Sequence, residues 1–217
     1  MGATERPKQY LELAGRTLLE WALAPLLANP MLERVVVVLA SEDRHWRETT
    51  LAGESRIECA VGGAQRVDSV RAGLSRLAQE ARSEDWVLVH DAARPCLTTE
   101  DLQRLIESVA DDAVGGLLAT PLVDTLKRAD DDGLAAATVP RDGLWRALTP
   151  QMFRFGVLER ALDAAVERGI AVTDEAQAVE MLGLRARLVE GDADNLKITT
   201  APDLERAARI LAARGQR

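Results

Sequence analysis

Aromatic residues are scarce: Trp, Tyr and Phe together make up 3% of the 217 residues. A buried core must therefore be assembled from Leu, Val, Ile and Ala. Cysteine is nearly absent. Cys59 and Cys96 stand far apart, with no CxxC pair and no His at metal-ligand spacing. That excludes a disulfide framework and a zinc site, and leaves two free thiols suited to a reducing, cytoplasmic setting. No stretch approaches the ~20 apolar residues of a membrane span. The opening Met1-Gly2-Ala3-Thr4-Glu5-Arg6-Pro7 has no apolar core of a signal peptide. Arg6 stands where a myristoylation signal wants Ser or Thr. Internal repeats, low-complexity tracts and interdomain linkers are missing too, which predicts one domain over 1–217. Positive charge is the minority sign. Lys and Arg number 27 against 35 Asp and Glu, a net charge of -8. This disfavours nucleic acid and anionic membranes as partners. A small anionic ligand remains possible if the bases gather in one pocket.

What is present reads as an ordinary soluble domain, 47% hydrophobic and 29% charged. A chain this long buries about 70% of the surface its unfolded form exposes, so it folds without disulfide or structural metal. Thr17 is placed to cap a helix with Leu18, Leu19, Trp21, Ala22, Leu26 and Leu27 as its apolar face, ended by Asn29-Pro30. Val35–Leu39, all apolar and mostly β-branched, predicts a strand buried on both faces. A weaker strand near Ile57–Val61 is broken by Gly62-Gly63, and a helix follows from about Arg66 to Ala81. Trp86–Val89 predicts another buried strand, ending on His90-Asp91. Then come a helix over Thr99–Val109 capped by Thr99 and a strand over Gly115–Ala119. Strand and helix alternate as in a parallel sheet with helices on both faces. Pro121–Pro140 breaks the rhythm. Val123–Lys127 and Leu134–Val139 flank Asp130-Asp131-Asp132-Gly133, and Asp-Gly signals a hairpin. That hairpin has no core of its own and is expected to protrude onto another subunit. The acidic run is read as a solvated turn. Beyond Thr149-Pro150-Gln151, helices are expected at Phe155–Arg168 and at Asp174–Leu182, the second capped by Thr173, with Glu175 an ordinary helix charge. A strand near Arg187–Val189, a short strand or turn at Asn195–Ile198 and a helix over Pro202–Ala213, capped by Thr200, complete the chain.

Ligands of open parallel sheets bind outside the C-terminal strand ends. Asp91, Ala92, Ala93 and Arg94 fall there. Asp91 is a candidate Mg²⁺ ligand, since hard cations take oxygen donors, or a turn or capping residue. Gly62-Gly63 with Arg66 and Ser69 at a helix start could receive a nucleotide's phosphates, or form a plain tight turn. Lys8 lies in a loop before the first helix, where a lone lysine is usually solvated. His90 and Asp91 are neighbours on a strand and point to opposite faces, so a catalytic dyad is disfavoured and His90 is read as a core histidine. His45 is read as a surface helix residue. No Gly-x-Ser-x-Gly, Walker or zinc motif occurs. The residues alone therefore define a fold class and a site, not a reaction.

Several segments, in order, carry a family resemblance. They are Pro7-Lys8-Gln9-Tyr10-Leu11, Gly63 with Arg66–Val70, and Val89-His90-Asp91-Ala92-Ala93-Arg94-Pro95. Next come Asp124–Lys127, Leu144-Trp145-Arg146-Ala147-Leu148-Thr149-Pro150-Gln151, Thr173-Asp174-Glu175-Ala176, and Val189–Gly191 with Asn195–Thr199. Together they resemble the 2-C-methyl-D-erythritol 4-phosphate cytidylyltransferases of non-mevalonate isoprenoid synthesis, over nearly the whole chain. Ribitol-5-phosphate cytidylyltransferases share the layout and are the alternative. The resemblance implies a Rossmann-like, doubly wound, mostly parallel α/β sheet with a protruding β-hairpin arm at about 121–143. It implies transfer from CTP to a sugar-alcohol phosphate, with release of pyrophosphate. It also implies Mg²⁺ as cofactor and a homodimer formed by arm exchange.

The same resemblance assigns roles. Lys8, Arg141 and Lys197 are catalytic, Arg141 acting from the arm on the neighbouring subunit's site. Asp91 holds the metal. Gly63, Arg66, Ser69 and Ala92 line the CTP site. Arg94, Thr125, Thr149, Thr173 and Lys197 address the methylerythritol phosphate. Two departures follow. The family places an apolar strand and a glycine-rich loop ending in Arg ahead of Met1-Gly2, so a longer natural chain is expected, and the 217 residues alone are expected to be unstable or inactive. A non-catalytic nucleotide-binding protein of this fold is the corresponding alternative. Ala64 stands where many members carry an acid after the glycine pair.

Overall fold

A computed structural model describes residues 6–215. The expectations attached to Met1-Gly2 lie outside the described residues. A single 3₁₀ turn at Lys8–Tyr10 leads into a two-residue hairpin, β1 (Glu12–Leu13) and β2 (Arg16–Thr17), which sequence patterning misses. Thr17 then caps α1 (Leu18–Ala28) as expected. Its hydroxyl accepts the Glu20 N–H at 3.2 Å, and the Glu20 carboxylate accepts the Thr17 N–H at 2.7 Å. Next come β3 (Val35–Leu39), β4 (Ile57–Val61), α2 (Arg66–Leu77), β5 (Trp86–Val89) and α3 (Thr99–Val109). The chain continues through β6 (Gly115–Pro121), β7 (Leu126–Ala129), β8 (Ala135–Val139) and β9 (Trp145–Arg154). It ends with α4 (Phe155–Glu167), α5 (Glu175–Glu180), β10 (Arg187–Glu190) and α6 (Ala201–Gly215).

Two caps sit one residue from their expected places. Thr98, not Thr99, caps α3, because its hydroxyl reaches the Asp101 N–H at 3.0 Å, three residues on. Asp174, not Thr173, caps α5 by accepting the Gln177 N–H at 2.9 Å. Helix α2 stops at Leu77, four residues short of the expected end, and the chain turns through Ala78. Asn195–Ile198 is irregular chain, neither strand nor turn, and the turn falls just before it at Ala193-Asp194. His45 precedes a second 3₁₀ turn, Trp46–Glu48, with its ring against Tyr10.

The largest departure is β9. Ten residues around Thr149-Pro150 form a strand antiparallel to both its neighbours, β5 and β6. Proline argues against a central strand because it lacks the ladder N–H. Here the pairing steps from Leu117↔Gln151 to Ala119↔Ala147, so Leu148, Thr149 and Pro150 together oppose Leu118. This bulge absorbs the proline and lifts Thr149 out of the ladder. The main sheet is therefore mixed, in the order β10-β6-β9-β5, with β10 parallel to β6.

The parallel pair β3-β4 forms its own two-stranded sheet. Among the described residues, β3 pairs only with β4 and β5 only with β9. Val35–Leu39 is accordingly not buried on both faces. Val37 is 6% exposed, and the other four residues are half-buried. Helices on both faces join the two sheets. Leu19, Leu23 and Leu26 of α1 and Leu102, Leu105 and Ile106 of α3 share one cluster with Val37, Leu118 and Met152. Val67 and Leu74 of α2 and Leu158 and Leu162 of α4 form the opposite layer with Val87, Leu117 and Phe153. Phe153, Leu118 and Leu158 are fully enclosed, each stabilising the fold by about 1.5–3 kcal/mol.

The arm is the antiparallel pair β7-β8. Each strand starts later than its sequence suggests, because Val123 and Leu134 fall in the flanking loops. The acidic run is a turn, as expected. Asp130 Oδ1 accepts the Leu134 N–H at 2.8 Å, and Gly133 supplies the positive φ of 78° that the reversal needs. Val123 is 72% and Leu134 66% exposed. Among the described residues, no helix is long and apolar enough to cross a membrane.

Candidate active site

Strand β5 ends at Val89, and His90–Arg94 turn away from its C-terminal end, the turn closed by the Arg94 N–H on the Asp91 carbonyl at 3.0 Å. Three cations converge on the Asp91 carboxylate. Lys197 Nζ lies 2.8 Å from Oδ2, Arg66 Nη2 3.5 Å from Oδ1, and Arg94 Nε 3.7 Å from Oδ2. Burial alone would raise this carboxyl, but Lys197, with Arg66 and Arg94 behind it, holds it below the usual carboxylate range. In a chain of net charge -8, this is the gathering of bases that an anionic ligand requires.

His90 organises the turn. Its Nε2 lies 3.3 Å from the Arg94 carbonyl oxygen and its Nδ1 2.8 Å from Thr149 Oγ1. Desolvation pushes the imidazole down to about 4, so the ring is neutral at pH 7. A carbonyl can only accept, so Nε2 carries the hydrogen and Nδ1 accepts from the Thr149 hydroxyl. The same hydroxyl oxygen accepts the Asp91 N–H at 3.1 Å. Asn195, fully enclosed, closes the other side. Its Nδ2 donates to the Thr149 carbonyl at 2.8 Å, and its backbone carbonyl accepts from Arg94 Nη1 at 2.7 Å. Arg94 is 9% exposed, and its Nε is a buried donor with no hydrogen-bond partner. Burial lowers its pKa, against the pull of Asp91.

Arg66 opens α2 directly after Gly62-Gly63-Ala64-Gln65. Those glycines rest on the helix. A Cβ on Gly63 would lie 2.3 Å from Asp68 Cβ, and one on Gly62 2.7 Å from Ser69 Oγ. Ser69 Oγ donates to the Gln65 carbonyl at 3.3 Å. The Arg66 guanidinium forks onto Glu175, with Nη2 donating to Oε2 at 2.9 Å and Nη1 donating to Oε1. Glu175 is fully enclosed. Burial raises its carboxyl above the ordinary value, although Arg66 draws it back. Lys8 lies at the edge of the cluster, its Nζ donating to the Ile198 carbonyl at 3.4 Å, one residue from Lys197. Ile198 is itself tied to the turn by its N–H on the Ala93 carbonyl at 2.8 Å.

Asp91, Arg66, Arg94, Lys197 and Thr149 thus meet directly. Ala92 lies in the same turn, Gly63 on the adjoining loop, Ser69 in the first turn of α2, and Lys8 at the rim. Three candidates stand outside these contacts. Thr125 is exposed at the arm's root, Arg141 is exposed with Nη1 on the Val123 carbonyl, and Thr173 is exposed with its hydroxyl on Gln177 at 3.1 Å. Sequence reading misses Glu175 and Asn195 and underrates His90. A signal for Glu175 did exist. Ala178 and Val179, three and four residues on, are apolar and buried, which puts Glu175 on the inward helix face. Among the described residues, no three His, Cys, Asp or Glu side chains are grouped to hold a metal ion. A cation here would have Asp91 as its protein ligand.

The sequence model of the 2-C-methyl-D-erythritol 4-phosphate cytidylyltransferase family (IspD) matches residues 1–213. Relatives bearing that name include one from Pseudomonas paraeruginosa, 55% identical over 94% of this chain and 88% of its own length. Another, from Pseudomonas putida, is 54% identical over 94% and 87%. Among solved structures, a 4-diphosphocytidyl-2C-methyl-D-erythritol synthase superposes with a TM-score of 0.86 at 42% identity, covering 94% of each chain. The Francisella tularensis 2-C-methyl-D-erythritol 4-phosphate cytidylyltransferase superposes at 0.85 with 35% identity, over 95% of this chain and 94% of that one.

Proposed function

The chain belongs to the 2-C-methyl-D-erythritol 4-phosphate cytidylyltransferase family and is a nucleotidyltransferase of isoprenoid synthesis, and we propose that its reaction runs at the cluster around Asp91. CTP and 2-C-methyl-D-erythritol 4-phosphate are the substrates; the CDP-alcohol and pyrophosphate are the products. The observation that carries this assignment is the convergence of Lys197, Arg66 and Arg94 on one carboxylate at a strand end, with the buried Arg94 Nε near Asp91 but without a hydrogen bond.

The chemistry asks for little beyond that. A phosphate monoester oxygen is already anionic at neutral pH, so it attacks the α-phosphorus of CTP without a general base. The protein has to align two highly charged groups and neutralise the charge that builds up in the transition state. Gly63 and Ser69 admit the nucleotide close to the α2 N-terminus, where anions are favoured. Arg66 faces its phosphates. Arg94 Nε takes an oxygen of the attacking phosphate, and Thr149 borders that group. Lys8 and Lys197, on adjoining segments, stabilise the crowded transition state. Asp91 would hold Mg²⁺, and one carboxylate suits that ion, which keeps waters and takes further oxygens from phosphate. When bound, Mg²⁺ adds neutralising charge at the triphosphate.

Two finer readings belong here. The arm carries Val123 and Leu134 exposed at its ends, and it pairs with a second copy of the chain, bringing Arg141 and Thr125 to that copy's site; Thr173 borders the same pocket. The exposed thiol of Cys59 suits a reducing cytoplasm. Pyrophosphate release tests the reading. CTP should be used with methylerythritol phosphate in preference to ribitol 5-phosphate, and an equal or higher kcat/KM for ribitol 5-phosphate overturns the substrate assignment.

A further inference from the structure

We propose that Glu175 is a positioning residue, holding the Arg66 guanidinium in one orientation so that it serves the nucleotide's phosphates and does not collapse onto Asp91. This inference rests on the function proposed above. Its basis is geometric. Both carboxylate oxygens of Glu175 engage the two Nη atoms of Arg66, a fork-on-fork contact that fixes the plane of the guanidinium as well as its place. Glu175 is fully enclosed, whereas the Arg66 side chain keeps about a third of its surface. The carboxylate is therefore the fixed member, and the arginine presents its free surface to the site.

Glu175 is itself held from two sides. It is the first residue of α5, whose cap, Asp174, accepts from Gln151 Nε2 at 2.9 Å. Gln151 Oε1 accepts the Ala176 N–H at 2.8 Å. Strand β9, which carries Thr149, thereby also sets where Glu175 stands. Arg66 already has a second, longer partner, since its Nη2 also donates to Asp91 Oδ1 at 3.5 Å. With Glu175 neutralised, Arg66 swings fully onto Asp91. One change then removes a cation from the nucleotide and masks the carboxylate assigned to the metal.

For an ion pair with one member enclosed, apolar residues of like volume often hold the site as well or better. This makes the test. Glu175→Gln should raise KM for CTP about ten- to hundredfold, the scale of a lost charge-assisted pair, with a smaller change in kcat. Arg66→Lys, which keeps charge without the fork, should do the same, and the double variant should be no worse than either single one. The apolar pair Arg66→Met with Glu175→Leu should melt near the parent yet stay as impaired as the single variants. If that pair regains the parental KM, or Glu175→Gln changes melting but not KM, Glu175 is structural only and the inference falls. Nitrogen-15 spectra separate this from the function itself. Arg66 Nη rotation should be hindered in the parent and free in Glu175→Gln, whatever the substrate. A parent with hindered rotation that fails to release pyrophosphate from CTP overturns the proposed function and leaves the clamp standing. Free rotation in the parent overturns the clamp.

Discussion

Thr149 shows how one side chain is committed by its neighbours. Its hydroxyl hydrogen goes to His90 Nδ1, and a lone pair takes the Asp91 N–H. Thr149→Val leaves both partners unsatisfied, at about 1–3 kcal/mol each. We expect kcat/KM to fall at least about tenfold, with Thr149→Ser close to the parent; a valine variant at parental kcat/KM would detach the hydroxyl from the site's order. Lys8 has fewer ties, one 3.4 Å contact to the Ile198 carbonyl, as befits a group that works on substrate. Lys8→Ala should lower kcat about 10²–10³-fold, the scale of one oxyanion donor, while the KM values move less. A kcat within about threefold of the parent returns Lys8 to the solvent. That Asp91, Arg94 and Lys197 meet, with Lys8 at the rim, agrees with the family resemblance of the motifs that hold them; pattern alone reads Lys8 as solvated and leaves Asp91 open. Glu175 and Asn195 lie within such motifs too, yet nothing local shows their roles. What matters for them is enclosure, and enclosure depends on Gln151 and Arg94, distant in the chain.

Among the elements, α1 was the most legible, since Thr17 and Glu20 lie three apart and their box needs nothing remote. Glu20 also reaches Thr50, accepting from its N–H at 2.8 Å and its hydroxyl at 2.7 Å. Burial would raise this carboxyl, but those bonds with the ones from Thr17 bring it down from 4.5 to about 2. A carboxyl lowered in the folded state contributes stability above its unfolded value and loses it as pH falls through the folded one. The Tm difference between parent and Glu20→Gln should therefore be largest near neutrality and shrink as pH falls from about 4.5 to about 2. A difference constant with pH would mean the carboxylate's charge contributes nothing. Strand β9 was the least legible. Sequence patterning assigns it no element, because Pro150 argues against a central strand, and only the pairing of Gln151 with both Val89 and Leu117 makes it a strand. The Gly62-Gly63 loop lies between these extremes. Its glycines were visible, but the 2.3 Å approach to Asp68, five residues on, depends on the angle at which the loop enters α2. Gly63→Ala should loosen the α2 cap and weaken CTP binding, as calorimetry would register.

At the scale of the molecule, the proposed arm exchange is open to test. We expect a dimer by sedimentation. Mixing an Arg141→Ala chain with a Lys8→Ala chain should restore some turnover, because one site in the heterodimer then keeps both residues; no recovery on subunit exchange counts against action in trans. Doubly wound order was only partly legible. Strand and helix alternation was visible from Val35 onward, but the antiparallel β9 and the separate β3-β4 pair depend on which edges meet. Strand β9 has one more consequence. At one end Trp145 pairs with Pro121 where the arm leaves the body, and four residues on stands Thr149, bonded to His90 and Asp91. A partner that steadies the arm steadies Thr149 through four covalently linked residues. Association and substrate binding are then thermodynamically linked, and each strengthens the other by the same factor. On dilution, turnover per chain should fall as dimers separate, and at a fixed dilution methylerythritol phosphate with CTP should drive the chains back together.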